Sequence, residues 1–281
     1  MPLPDFLIIG AQKAGTTWLR AGLRRHPRVF MPDREVHFFN KETNYERGPD
    51  WYARQFRGAE AADRVGEKTP NYLWTNVPGP GSDTPSHIRI ASTLPSIRLI
   101  AILRDPVDRA ISAYNHHLCR GRFPPHISMK RILFGDHQAF GRRHGLLTMG
   151  HYDEHLRHYL EVFDRDQLLV LIFEEHVVEA PTEGLERACR FLDLDPTEIP
   201  DEQQSARHVH SFTKPRAYLN YWLQAPLLLT RPVDFFFSPW KRSPSPETRT
   251  CLRDHYAPHL ERLYDLLGRR IEPWATGTMA E

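Results

Sequence analysis

Between residues 6 and 25 the chain reads FLIIGAQKAGTTWLRAGLRR, and this stretch limits the folds open to it more than any other. Phe6 to Ile9 form a short apolar run of the kind that makes a buried strand. The run ends at Gly10, and a loop from Ala11 to Gly15 carries Lys13. Thr16 and Thr17 then open a helix whose apolar residues Trp18, Leu19 and Leu23 share a face. A strand, a glycine-bounded loop and a helix start together hold anions. The first backbone N–H groups of a helix lack partners, and the helix dipole favours negative charge beside them.

Gly10 and Gly15 have the spacing of the nucleotide-binding phosphate loop G-x-x-x-x-G-K, but the residue after Gly15 is Thr16. The lysine sits inside the loop, at position 13. Such a loop still cradles an anion, without the lysine that grips the β- and γ-phosphates of a nucleoside triphosphate. On these residues alone, an ordinary strand-turn-helix with a surface lysine remains open.

Composition narrows the class. A chain of 281 residues, 40% hydrophobic, can bury a core as one large domain or two small ones. A net charge of +2 gives no default case for nucleic-acid binding. Cys119, Cys189 and Cys251 are odd in number and widely spaced, which fits a reducing compartment better than a disulfide framework or zinc knuckle. The N-terminus enters the first strand with no signal-peptide pattern, and no apolar run is long enough to span a bilayer. A cytoplasmic protein is expected. Only six of the basic residues are lysines, at 13, 41, 68, 130, 214 and 241, and the rest are arginines.

Further elements follow in order. In PDREVHFFN, residues 32–40, Glu35 and His37 alternate with Val36 and Phe38. An extended conformation puts the carboxylate and imidazole on one face, as candidate proton-transfer groups. A surface strand with a salt-bridged glutamate is the plainer alternative. Residues 50–57 read as a short helix capped by Asp50, and Lys68 stands just before a Thr-Pro turn. Residues 76–86 read as a loop, and a helix starts around Ile88 to Ser92 and ends near Pro95. Ile97 to Leu103 is the clearest buried strand, nearly continuous in apolar residues as parallel sheets require. Arg104 stands at its carboxyl end, where open α/β sheets bind ligands. Asp105 and Pro106 then start a helix that reaches Leu118, with Arg109 and Ser112 on one face.

Residues 121–145 read as a polar, irregular excursion. Helices are expected at His151–Phe163, Thr182–Leu192 and Pro246–Leu267, and a buried strand at Leu168–Phe173. The aromatic run from Tyr218 to Trp240 is open to three readings: core helix, a lid or hydrophobic acceptor surface, or a homodimer contact. His151-Tyr-Asp-Glu154-His155 matches the zinc-protease pattern H-x-x-E-H. Short matches arise readily among sixteen histidines, so a solvated helix flank is the better reading and no metal is expected.

GAQKAGTTWL, EVHFF, GEKTPNYL and PSIRLIAILRDPVDRAISAY, in this order, together resemble sulfotransferases that use 3′-phosphoadenosine 5′-phosphosulfate (PAPS). The nearest likeness is to the heparan sulfate 3-O-sulfotransferase type and its bacterial relatives. It covers residues 5–120, then 146–195, and returns in LLGRRIEPW at the end of the last helix. The resemblance implies one domain over residues 1–281. Its fold would be α/β, P-loop-like and three-layered, with a central parallel sheet flanked by helices.

By the same resemblance, Lys13, Ala14, Gly15, Thr16, Thr17 and Trp18 hold the 5′-phosphosulfate, with Lys13 on its oxygens. Arg104 and Ser112 hold the 3′-phosphate. Glu35 is the general base, His37 its neighbour in the acceptor cleft, and Lys68 a site lysine. Phe212, Lys214 and Arg216 match the second cofactor loop, with Lys241 and Arg242 as the competing placement. The implied reaction moves a sulfuryl group to a hydroxyl of a sugar or natural-product acceptor, with no metal. A P-loop-like kinase and a non-catalytic glycan- or metabolite-binding protein are the alternatives. The arginine-rich composition points to a bacterial source.

Overall fold

A computed structural model describes residues 2–75, 84–200, 214–223 and 242–275. The chain divides into two compact units. The first holds residues 1–105, 152–205 and 262–281, and the second holds 106–151 and 206–261.

The strands are β1 (Phe6–Gly10), β2 (Val29–Phe30), β3 (Arg64–Lys68), β4 (Arg98–Leu103) and β5 (Leu168–Ile172), all in the first unit. In chain order the helices are α1 (Thr16–Leu23), α2 (Glu42–Tyr45), α3 (Gly48–Ala53), α4 (Ser86–Thr93), α5 (Pro106–Cys119) and α6 (Met129–Leu133). They continue with α7 (Gln138–Arg143), α8 (Tyr152–Leu160), α9 (Pro181–Phe191), α10 (Lys214–Leu223), α11 (Pro246–Leu267) and α12 (Glu272–Ala275).

The five strands pair in the order β2-β3-β1-β4-β5, every pair parallel. Parallel strands covered by helices are buried on both faces, so they need continuous apolar runs. Phe6 to Ile9 and Leu99 to Leu103 are wholly buried. The pairings Ile8 with Lys68, Ile8 with Ile100 and Leu103 with Ile172 align the carboxyl ends along one edge. The segments leaving β1, β3 and β4 there carry Lys13, Thr69 and Arg104. The architecture is the expected α/β one, a central parallel sheet flanked by helices.

β3 carries three charged residues, Arg64, Glu67 and Lys68, and so lacks the apolar run that marks a buried strand. Glu67 is nevertheless fully buried. It accepts hydrogen bonds from the hydroxyls of Tyr52 (2.5 Å), Thr69 (2.6 Å) and Tyr72 (2.8 Å). Those donors replace the water a buried carboxylate loses.

The second unit corrects the reading of 121–145 as an irregular excursion. Phe123, Ile127, Met129, Ile132, Leu133 and Leu146 are buried with Tyr114 and Tyr256 in one core. Ser128 caps α6 by accepting from the Arg131 N–H. Met129, Ile132 and Leu133 have helical spacing, but α6 and α7 are too short for the pattern to stand out among the flanking charges. Arg109 does not present a polar face beside Ser112. It is wholly buried and donates to the Leu146 carbonyl. The short helix near residue 50 starts earlier than expected, at Gly48, and Asp50 lies inside it.

Candidate active site

The loop after β1 turns back on itself through Lys13 (φ 70°) and Gly15 (φ 88°). A side chain at Gly15 would be strained by that φ, and its Cβ would lie 2.9 Å from the Phe173 ring. Gly15 is the residue before α1 and supplies no side-chain cap. The N–H groups of Thr16 and Thr17 open the helix, where no intrahelical acceptor exists for them. Ala14, Thr16 and Trp18 are buried, Lys13 is half-buried and Thr17 is exposed. This is the geometry of an anion cradle.

Arg104 follows β4 directly. Its guanidinium donates to the Lys13 carbonyl (3.3 Å) and lies over the Phe173 ring at 4.9 Å. Its buried Nε has no hydrogen-bond partner. A buried guanidinium nitrogen without an acceptor fits a phosphate oxygen. The backbone here is fastened on both sides. The Tyr152 hydroxyl donates to the Arg104 carbonyl (3.0 Å), and the Asp105 N–H donates to Glu174 (3.1 Å). Glu174 also accepts from the Trp274 indole N–H (2.8 Å). Burial raises the Glu174 carboxyl above its ordinary range despite those hydrogen bonds.

Glu35, His37 and Lys68 come together, but not by the expected route. Residues 35–37 form no strand and His37 has φ 56°, so EVHFF is a bent loop rather than an extended segment. Side chains hold the bend. Asn44 donates to the carbonyls of Val36 (3.0 Å) and His37 (3.2 Å). The Phe38 N–H donates to the Tyr72 hydroxyl (2.8 Å), and the His37 N–H to Thr69 Oγ1 (3.4 Å). Phe38 stacks on Tyr52 at 4.3 Å and Phe39 meets Tyr72 edge-on at 5.4 Å.

Lys68 Nζ donates to Glu35 Oε1 at 2.6 Å, and His37 Nε2 lies 3.2 Å from Glu35 Oε2. The Lys68 side chain is only 6% exposed and the Glu35 side chain 33%, so the lysine is fixed while the carboxylate keeps access to solvent. Burial pushes the Glu35 carboxyl up, but hydrogen bonds from His37 and Lys68 and their positive charge outweigh it and hold it at about 2. Glu35 is therefore ionised at neutral pH. Each of its oxygens has a lone pair beyond the one used.

Glu67, Tyr72 and Glu174 are the residues that sequence reasoning missed. Glu67 and Tyr72 tie EVHFF to β3, and Glu174 anchors the turn after Arg104. The proximity of Glu67 to Lys68 in GEKTPNY was the one available signal.

Ser112 is half-buried on α5 in the second unit. Lys214 and Arg216 lie in the first turn of α10, a helix where a loop was expected, and Phe212 and Lys241 fall outside the described residues. Arg242 donates to the Tyr114 hydroxyl (2.9 Å) and the Ile127 carbonyl, and its N–H donates to Asn115 Oδ1 (2.9 Å). Those contacts give Arg242 a bracing role within the second unit. The H-x-x-E-H segment is not a solvated flank. His155 is buried with its Nδ1 3.0 Å from Thr75 Oγ1, and Asp153 is buried and paired with Arg262 (2.6 Å).

Residues 3–228 match the family model described as Sulfotransferase domain, and the chain belongs to the sulfotransferase family. The mouse bifunctional heparan sulfate N-deacetylase/N-sulfotransferase 3 is 34% identical over 69% of this chain and 23% of its own length. Human heparan sulfate glucosamine 3-O-sulfotransferase 3B1 is 32% identical over 68% of this chain and 46% of its own. The chain thus spans less than half the length of either relative. A solved sulfotransferase from Alicyclobacillus acidocaldarius superposes with TM-score 0.72 at 26% identity, covering 98% of this chain and 100% of its own. Mouse sulfotransferase SULT7A1 complexed with PAP shares the fold alone, with TM-score 0.50 and 13% identity over 99% of this chain and 90% of its own. Among the described residues, no helix is long and apolar enough to cross a membrane.

Proposed function

We propose that residues 1–281 form one sulfotransferase domain that moves a sulfuryl group from PAPS to an acceptor hydroxyl, with Glu35 as general base. The observation that carries this reading is Glu35 held ionised by Lys68 and His37, in the same unit as the glycine-bounded loop and Arg104.

Bound to the protein, the donor supplies the sulfuryl group and carries charge at two ends, at the phosphosulfate and at the 3′-phosphate. Lys13 and the N–H groups of Gly15, Thr16 and Thr17 would hold the first. Arg104, through its buried Nε, would hold the second, with Ser112 as its partner. Ala14 and Trp18 shape the loop, and Phe212, Lys214 and Arg216 complete the nucleotide site. Like phosphoryl transfer, sulfuryl transfer asks for positioning and charge stabilisation more than covalent help.

Lys13 and Lys68 stabilise negative charge at the transfer point, and Glu35 takes the acceptor's proton. His37 orients Glu35 and faces the acceptor, a sugar or natural-product hydroxyl. Transfer needs no metal in this reading. A cytoplasmic location in a bacterial cell is part of the proposal, supported by three free thiols and the arginine-rich composition. Self-association as a homodimer is also part of the proposal, with Trp222 on α10 69% exposed; residues 224–240 of the aromatic run lie outside the described residues. The partners expected are the acceptor and a second copy, not nucleic acid or membrane.

Thermal unfolding with the 3′,5′-bisphosphate nucleotide, set against ATP with Mg²⁺, tests the donor class. The bisphosphate should raise Tm and ATP–Mg²⁺ should not. The reverse result would overturn the donor assignment in favour of a nucleoside triphosphate.

A further inference from the structure

Three histidines from two distant parts of the sequence meet in the second unit. His255 and His259 are one turn apart on α11 and so share a helix face. His151 ends the tight turn Thr148–Gly150. Its Nε2 lies 3.0 Å from His255 Nε2, and its ring stacks on His259 with centroids 3.8 Å apart and planes 11° from parallel. One ring nitrogen from each of the three lies within 4.8 Å of the others, and all three residues are half-buried.

The packing presses this turn against the helix. A Cβ at Gly150 would sit 2.8 Å from Tyr256 Cε1, so only glycine permits the approach that brings His151 to α11. The Tyr256 hydroxyl donates to the Leu147 carbonyl (2.9 Å) and pins the same turn. The Phe134 ring meets His255 edge-on at 6.0 Å, giving the cluster an apolar wall.

We propose that His151, His255 and His259 form a binding site for a divalent transition-metal ion of the zinc class, fastening the 148–151 turn to α11. Two imidazole nitrogens at about 2.0–2.1 Å from a tetrahedral zinc ion lie roughly 3.4 Å apart. The His151–His255 pair is already near that separation, and rotation of the His259 ring closes the third. Three imidazoles suit zinc, cobalt, nickel or copper rather than magnesium or calcium, and leave a fourth position for water. None of the three belongs to the transfer machinery proposed above. The linear H-x-x-E-H motif is split by the fold, and His151 serves with residues more than a hundred positions away.

The test uses the tag-free full chain after chelator treatment, titrated with Co²⁺ and read by visible absorption, then with Zn²⁺ in competition. One equivalent of Co²⁺ should give the intense bands of a low-coordinate site, Zn²⁺ should displace it, and Mg²⁺ should not. His151→Asn, His255→Asn and His259→Asn should each weaken binding more than the roughly 10–100-fold that loss of an outer-sphere partner costs. Zn²⁺ should also raise the Tm of the wild type and not of the variants, each compared with its own melt in chelator. A variant that fails to fold leaves the wild-type Co²⁺ spectrum as the deciding result. No low-coordinate spectrum at one equivalent, or unchanged affinity in all three variants, overturns the site.

Discussion

Lys68 and Glu35, separated by 33 positions in sequence, meet at 2.6 Å, with the lysine buried at the end of β3 and the carboxylate on a bent loop. The pair sets the charge state of the proposed base. Its two members come from segments that a single network of hydroxyls around Glu67 holds in register. An ionised carboxylate with a pKa of about 2 can accept a proton but is a weak base. Anything that draws Lys68 toward another anion strengthens it.

Replacement of Lys68 by Met removes a hydrogen bond and a positive charge that lower the Glu35 pKa, while the effect of burial, which raises it, stays. The acidic limb of the kcat/KM profile should therefore move to higher pH. A limb that stays in place would show that Glu35 is not the group whose ionisation limits the rate.

Arg104→Ala should weaken binding of the 3′,5′-bisphosphate by about tenfold or more, the value of one charge-assisted hydrogen bond. An analogue lacking the 3′-phosphate should lose far less. Calorimetric titration of both ligands distinguishes the outcomes, and equal losses would remove Arg104 from the 3′-phosphate.

Tyr72→Phe takes away the acceptor of the Phe38 N–H and one of three donors to the buried Glu67. Leaving a buried polar group unsatisfied costs about 1–3 kcal/mol. Urea unfolding should give a loss of about 2 kcal/mol or more, and a loss under about 0.5 kcal/mol would mean that the loop is held by its aromatic packing alone.

The Glu35 carboxyl is depressed from 4.5 to about 2 in the folded chain. Its ion pairing therefore contributes stability that is fully present above about pH 4.5 and is lost as pH falls through about 2. The stability difference between wild type and Glu35→Gln should be widest above pH 4.5 and close toward pH 2, as read from urea midpoints across that range. A difference independent of pH would assign the effect to packing rather than charge.

The sheet and its helices were legible where burial alone dictates composition. Leu99 to Leu103 are apolar because both faces of β4 are covered, and Asp105-Pro106 announces α5 by its chemistry. β3 was not legible, since its buried charges depend on Tyr52, Tyr72 and Glu35, which reach it from other segments. The pairing of Glu35 with His37 was read from alternation and survives, although the backbone is bent. Side-chain hydrogen bonds from Asn44 and Tyr72, invisible to a period of two, replace strand pairing there. Glu174 and the three-histidine cluster lay beyond reach for the same reason, as their partners are set by tertiary contacts alone.

Transfer of labelled sulfuryl from PAPS to a panel of sugar and natural-product hydroxyls, run with wild type and Glu35→Gln, tests the central claim most directly. General-base catalysis contributes roughly 10²–10⁴ in rate, so the variant should lose at least about tenfold in turnover while binding the bisphosphate product as tightly as wild type. Near-normal turnover in Glu35→Gln would contradict the account, as would the absence of transfer by the wild type to every acceptor.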